Sequence, residues 1–227
     1  MEQMQILLAI LVLLPFVSAL LLALCGSDRM RRLIVYGSAG VLMISAVAFA
    51  VCFFSGENLQ LRFLQSGGII DHTMLALEAG FAVLITVLSI KYRRYYVAVL
   101  SIVQTVLTFV YELGGYKPAV QPYNLFADQL TVIMVLIIAV VGTLITVYAV
   151  GYMRDYHSHH KEYTDRRRFF FAMLYVFLGA MFGLVLSNSL LWLYFFWEIT
   201  SLVSFLLIGY TRTKEAVQNS FRALWMN

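Results

Sequence analysis

Ser189–Thr211, SLLWLYFFWEITSLVSFLLIGYT, is a 23-residue run that holds a single charged residue, Glu198. A helix rises about 1.5 Å per residue and needs about 20 apolar residues to cross the hydrocarbon layer, so this run reads as a membrane-spanning helix. Glu198 then falls near the bilayer midplane. A charge there costs roughly 2.5–3.5 kcal/mol on insertion scales, so such groups usually face a protein interior or a water path and carry function.

Composition extends that reading to the whole chain. Of its 227 residues, 62% are hydrophobic and 12% charged, against about 25% charged in a soluble domain. Apolar runs at about 4–25, 31–54, 73–90, 95–113, 126–150, 169–187 and 189–211 predict an all-α integral membrane bundle of about seven complete transmembrane helices. An eighth helix is expected to begin at Phe221, and the stop at Asn227 without a cap or polar tail reads as a truncated chain. The first run lacks a positively charged lead and a small-residue cleavage site, so it is expected to stay in the protein as a helix.

The loops orient the bundle. Counted on alternate sides, fourteen Lys and Arg residues fall on one side and only Arg62 and Lys117 on the other. Cytoplasmic loops hold the excess of such residues, which predicts the N-terminus outside and the segment 151–168 inside, in a cell inner (cytoplasmic) membrane. The outer loops, Ser55 to His72 and Gly114 to Tyr123, carry the turn residues Gly67, Gly68, Gly114, Gly115, Pro118 and Pro122 and are read as turns. Ser187-Asn188-Ser189 makes a tight antiparallel hairpin of the sixth and seventh helices, and Gly179 and Gly183 on the sixth allow close helix packing.

A net charge of +4 and a pI near 9.1 do not make a nucleic-acid binder, because the basic residues are dispersed between apolar runs instead of gathered in a patch. Cys25 and Cys52 form no CxxC pair and read as apolar filler. His157, His159 and His160, with Asp155 and Glu162, read as a solvated loop, and Arg166-Arg167-Arg168 as a positive-inside anchor or, alternatively, a docking site for a cytoplasmic partner. No phosphate-binding loop, dinucleotide fingerprint, haem motif or nucleophile elbow is present, so no catalytic site and no cofactor are expected.

Candidate chemistry therefore centres on Glu198. Tyr194, Ser201 and Ser204 share its helix at spacings that set hydroxyls beside the carboxylate. A Glu so placed can take up and release a proton as a cation is brought near or withdrawn. Glu78, inside the outer end of the third run, is a second candidate for a proton path. Asp128 reads as an N-cap of the fifth helix.

From Tyr123 onward the residues resemble a known family. YNLFADQLTVIMVLIIAVVGTLITVYAVGYM (Tyr123 to Met153), RRFFFAMLYVFLGAMFGLVLSNSLLWLYFFWEITSLVSFLLIGY (Arg167 to Tyr210) and FRALWMN (Phe221 to Asn227) look like the start of the antiporter-like subunits shared by respiratory complex I, energy-converting membrane-bound hydrogenases and Mrp cation/proton antiporters. The most specific piece is Leu186 to Tyr210, with its SNSLL turn and Trp197-Glu198 pair, closest to the large L-type subunit of complex I and its hydrogenase relatives. The apolar runs place about four N-terminal transmembrane helices over 1–122, and the resemblance implies the beginning of a proton-translocating repeat, truncated, over 123–227. It implies that Glu198 pairs with a Lys on a later broken helix, which would lie beyond Asn227. It also implies a non-redox subunit of an oxidoreductase complex of the NADH-quinone or hydrogenase type, partnered by other membrane subunits and indirectly by peripheral iron–sulfur subunits. The helices at 73–113 depart from the complex I pattern and lean toward the hydrogenase type. A subunit of an Mrp-type Na+/H+ antiporter and a non-transporting scaffold fragment are the alternatives.

Overall fold

A computed structural model describes residues 2–56, 61–65, 69–93, 95–113 and 123–226. The turn residues expected at Gly67, Gly68, Gly114, Gly115, Pro118 and Pro122, together with Arg94, Lys117 and Asn227, lie outside them. The elements run α1 (Glu2–Leu24), α2 (Asp28–Phe54), β1 (Leu61–Gln65), α3 (Ile69–Lys91), α4 (Tyr95–Leu113), β2 (Tyr123–Ala127), α5 (Gln129–His159), α6 (Arg167–Leu186), α7 (Leu190–Ile208) and α8 (Lys214–Met226).

Among the described residues six helices, α1, α2, α3, α5, α6 and α7, are long and apolar enough to cross a membrane, and α4 adds a shorter apolar helix. The all-α membrane bundle of roughly seven spans is therefore what the chain forms. Large apolar side chains stay exposed around it, among them Leu20, Ile44, Leu107 and Leu144. Lipid tails solvate such side chains as well as a protein core does, so a membrane bundle has no need to bury them.

The main core joins α1, α2, α5 and α6, with Leu11, Leu22, Leu42, Phe49, Val135 and Phe182 buried together. A buried polar contact pins it: Tyr175 Oη of α6 donates to the Val35 carbonyl at 3.0 Å and accepts from Ser38 Oγ at 2.7 Å. Such a link holds two helices in register where no hydrophobic force separates protein from lipid. On the other side of α6 lies α7, and beyond it α3, α4 and α8 close a second layer around Val97, Phe205 and Phe221.

The glycines of α6 serve two neighbours. A Cβ on Gly179 would sit 2.9 Å from the Phe16 ring of α1, and one on Gly183 would sit 2.3 Å from the Phe196 ring of α7. The close packing expected there is present, with each glycine admitting an aromatic ring.

Strand pairing and helix bounds differ from the sequence reading. β1 and β2 pair antiparallel, with Arg62 opposite Phe126 and Gln65 opposite Tyr123, where plain turns and the start of a helix at 126 are expected. Asp128 explains the second part. Its carboxylate accepts from the Thr131 amide at 2.8 Å and from Thr131 Oγ1 at 2.9 Å, so α5 starts only at Gln129 and the preceding residues stay extended. The strand in turn latches the α6–α7 turn, because the Asn188 amide donates to Asn124 O at 2.8 Å and Asn188 Nδ2 to Tyr123 O at 2.9 Å.

The other difference is at the opposite end of α5, which runs on to His159 instead of stopping near 150. Ala149, Met153 and Tyr156 continue the i, i+4, i+7 stripe and pack on the core, which carries the helix past the bilayer. Similarly, α8 begins at Lys214, seven residues before Phe221.

Candidate functional site

The site is built on α7. Ser189 caps its start, accepting from the Trp192 amide at 3.3 Å, and Glu198 lies midway along it, 8% exposed. The apolar faces of α7 position the carboxylate. Phe195 and Phe196 pack into α6 and α3, with the Phe81 and Phe195 ring centres 5.7 Å apart, while Leu202 and Phe205 anchor the C-terminal half against α4 and α8.

Glu198 turns toward α4. Its Oε1 accepts a hydrogen bond from Gln104 Nε2, which ties the carboxylate to α4. Tyr194, one turn earlier on α7, sits beside it, and Glu78, 1% exposed on α3, interacts electrostatically with both. A cavity of about 610 Å³ opens between α4 and α7, and Ser101, Gln104, Thr108, Tyr194, Glu198 and Ser201 supply its polar lining. Such a space holds water or a small cation next to a carboxylate.

The residues expected beside Glu198 are thus distributed. Tyr194 and Ser201 share its cavity. Ser201 Oγ donates to the Trp197 carbonyl at 3.1 Å, and Ser204 Oγ, one turn further, to the Thr200 carbonyl at 2.8 Å, so both hydroxyls bond their own helix. Glu78, expected near the headgroups or on a proton path, is brought to the same site by α3.

Gln104 is the residue the sequence reading missed. Ser101, Gln104, Thr105 and Thr108 recur at i, i+3, i+4 and i+7 on an otherwise apolar helix. That polar stripe was the available signal.

The end of the bundle where α5 and α7 stop and α6 begins carries a second polar assembly. His157 is not solvated: its side chain is 10% exposed and Nε2 lies 2.7 Å from Tyr210 Oη. Tyr210 Oη also accepts from the Arg166 amide at 3.3 Å, and its carbonyl from Arg166 Nη1 at 3.3 Å. His159 and His160 are exposed. Among the described residues no cluster of three or more His, Cys, Asp or Glu could hold a metal ion.

Fold and site together define a multi-pass, mainly helical integral membrane protein with a hydrogen-bonded carboxylate buried mid-span. Residues 121–170 match a family described as NADH-Ubiquinone oxidoreductase (complex I), chain 5 N-terminus, and residues 187–227 match one described as NADH:quinone oxidoreductase/Mrp antiporter, TM. Over these segments the chain is similar to the antiporter-like membrane subunits that complex I and Mrp antiporters share.

Among curated relatives, the Na(+)/H(+) antiporter subunit A1 of Staphylococcus haemolyticus (strain JCSC1435) is 34% identical over 122 residues, 54% of this chain and 14% of the relative. The protein of the same name from Staphylococcus aureus (strain JH9) is 28% identical over 161 residues, 64% of this chain and 19% of the relative. The chain thus spans less than a fifth of the length of either. Glu198 falls inside the second family match, whereas Gln104 and Glu78 fall outside both.

Proposed function

We propose that this chain is a proton-translocating, antiporter-like subunit of a multisubunit membrane complex, with Glu198 as its proton-handling residue. The observation that carries the reading is the placement of Glu198, buried mid-span, held by an amide donor and opening on a largely apolar cavity that carries a stripe of polar side chains. Intramembrane carboxylates so placed mark ion and proton pathways. Tyr194 and Ser201 line the approach, Glu78 is a second carboxylate within electrostatic range, and Ser204 continues the polar face of α7. Residues 123–227 form the start of the translocating repeat and residues 1–122 an accessory set of helices.

Two settings suit such a subunit. The relatives named as Na(+)/H(+) antiporter subunits support an Mrp-type antiporter, in which proton movement is exchanged for a cation. A redox-driven pump of the complex I or energy-converting hydrogenase type is favoured by the complex I description of the family matched at 121–170. Copurification separates them: iron–sulfur subunits accompany the chain in the redox setting and only membrane subunits in the antiporter setting. The orientation we propose, N-terminus outside in a cytoplasmic membrane, rests on Arg31, Arg154, Arg166, Arg167, Arg168 and Arg212 lying at the bundle end where α2 and α6 begin and α5 and α7 end, with Arg62 on β1 at the other.

The test is Glu198→Gln in the intact complex, assayed in vesicles with a pH-sensitive dye. Loss of most proton movement with unchanged assembly is the expected result. Full proton movement in that variant overturns the reading.

A further inference from the structure

Where α1 hands over to α2 and α6 begins, Gly26, Asp28, Arg31, Asp165, Arg166, Arg167, Arg168 and Phe169 enclose a cavity of about 380 Å³. From this basic cavity we infer a binding site for a phosphate group, presented by an anionic phospholipid headgroup or as free inorganic phosphate.

Charge is the first argument. Arg31 pairs with Asp28, and Arg167 with Asp165 at 2.6 Å and with Asp28 at 3.5 Å. Four guanidiniums face two carboxylates, and neither Arg166 nor Arg168 enters an ion pair among the described residues. An excess of two positive charges in a half-enclosed space favours an anion.

Geometry is the second. The Arg166 guanidinium is held 4.4 Å over the Phe169 ring while Nη1 donates to the Tyr210 carbonyl, which fixes its plane with donors to spare. Gly26 gives Arg168 room: a Cβ there would stand 3.1 Å from Arg168 Nη2. Planar guanidiniums with fixed donors match the oxygens of a phosphate.

Location is the third. The cavity lies level with the ends of the α1, α2 and α6 spans, which is headgroup depth, and lipid-facing Leu24, Met30 and Leu33 flank it, 74%, 53% and 68% exposed. Basic pockets between helices at this depth recognise acidic headgroups. None of this depends on whether the chain moves protons.

The test is native mass spectrometry of the full chain in detergent, titrated with phosphatidylglycerol, phosphatidylcholine or inorganic phosphate. Wild type should retain phosphatidylglycerol over phosphatidylcholine, and the double variant Arg166→Gln/Arg168→Gln, which leaves the Asp–Arg pairs intact, should lose that preference on the order of tenfold. Arg154→Gln, outside the cavity with its side chain 72% exposed, should keep it. Gly26→Leu fills the cradle without changing charge and should also lose it, which covers the case of a double variant that fails to fold. Binding of inorganic phosphate that displaces the lipid assigns the site to free phosphate; retention of lipid against excess phosphate assigns it to the headgroup. Equal binding of the two lipids by wild type without any phosphate binding, or a preference that survives Gly26→Leu, overturns the site.

Discussion

Gln104 on α4 donates its side-chain amide to the carboxylate of Glu198 on α7, so a helix outside both family matches supplies the hydrogen bond that holds the buried acid. Removing a partner from a buried polar group costs about 1–3 kcal/mol, whereas removing both can be nearly neutral. Gln104→Leu should therefore destabilise the protein by that order and reduce proton movement, and Gln104→Leu/Glu198→Leu should be closer to wild type in stability while lacking proton movement. Thermal unfolding in detergent, paired with the vesicle dye assay, checks both. Equal destabilisation by the single and double variants would show that the bond does not hold the acid.

Gly183 of α6 admits the Phe196 ring of α7, and a Cβ at Gly183 would stand 2.3 Å from the ring's Cζ. Phe196 is 3% exposed and has nowhere to retreat. Gly183→Val should cost about 1–3 kcal/mol through overpacking. Adding Phe196→Leu should return part of it, a coupling that a double-mutant cycle measures.

Asn188 latches the α6–α7 turn to β2 through its side chain at 2.9 Å from Tyr123 O. Asn188→Ala keeps the backbone bond to Asn124 and loses this one, at a cost of about 1 kcal/mol. Hydrogen exchange at the amides of β2 and of the α6–α7 turn should quicken in the variant, with no change at those between α5 and α6.

What the chain disclosed as sequence and what it withheld follow from how local each signal is. Glu198 stood out because a lone charge in an apolar run is read from that run alone, and Asp128 because an N-cap acts on the next three residues. The span count followed from run length and from the alternation of Lys and Arg. Gln104 was harder: its partner is 94 positions away, and a Gln on an apolar helix is unremarkable until α7 is laid against it. The strands β1 and β2 are five residues each, and their pairing joins segments about 60 residues apart. Their only local trace was the N-cap that delays α5. His157 reads as solvated among charged neighbours, yet Tyr210 arrives from the turn after α7 to cover it.

The end of the bundle between α5 and α6 should respond to acid through Asp165, which lies outside the spans. Bidentate contact with the Arg167 guanidinium holds its carboxyl down at about 2 against an ordinary value of 3.8, with the Arg167 backbone N–H adding to the effect and partial burial opposing it. A carboxyl with a lowered native pKa binds protons more readily in the unfolded chain, so its stabilising contribution is complete above about pH 4 and disappears as pH falls toward 2. The side chain is 49% exposed, so solvent moderates the size of the effect while the window stands. Melting temperatures in detergent between pH 5 and 2 should thus fall more steeply for wild type than for Asp165→Asn, the two curves drawing together at the acid end. Arg167→Gln should behave like Asp165→Asn, because it removes the same pair from the other side. Parallel curves for wild type and both variants would mean that the Asp165–Arg167 pair contributes nothing to the acid response, and that Asp28, which also contacts Arg167, has to be tested in its place.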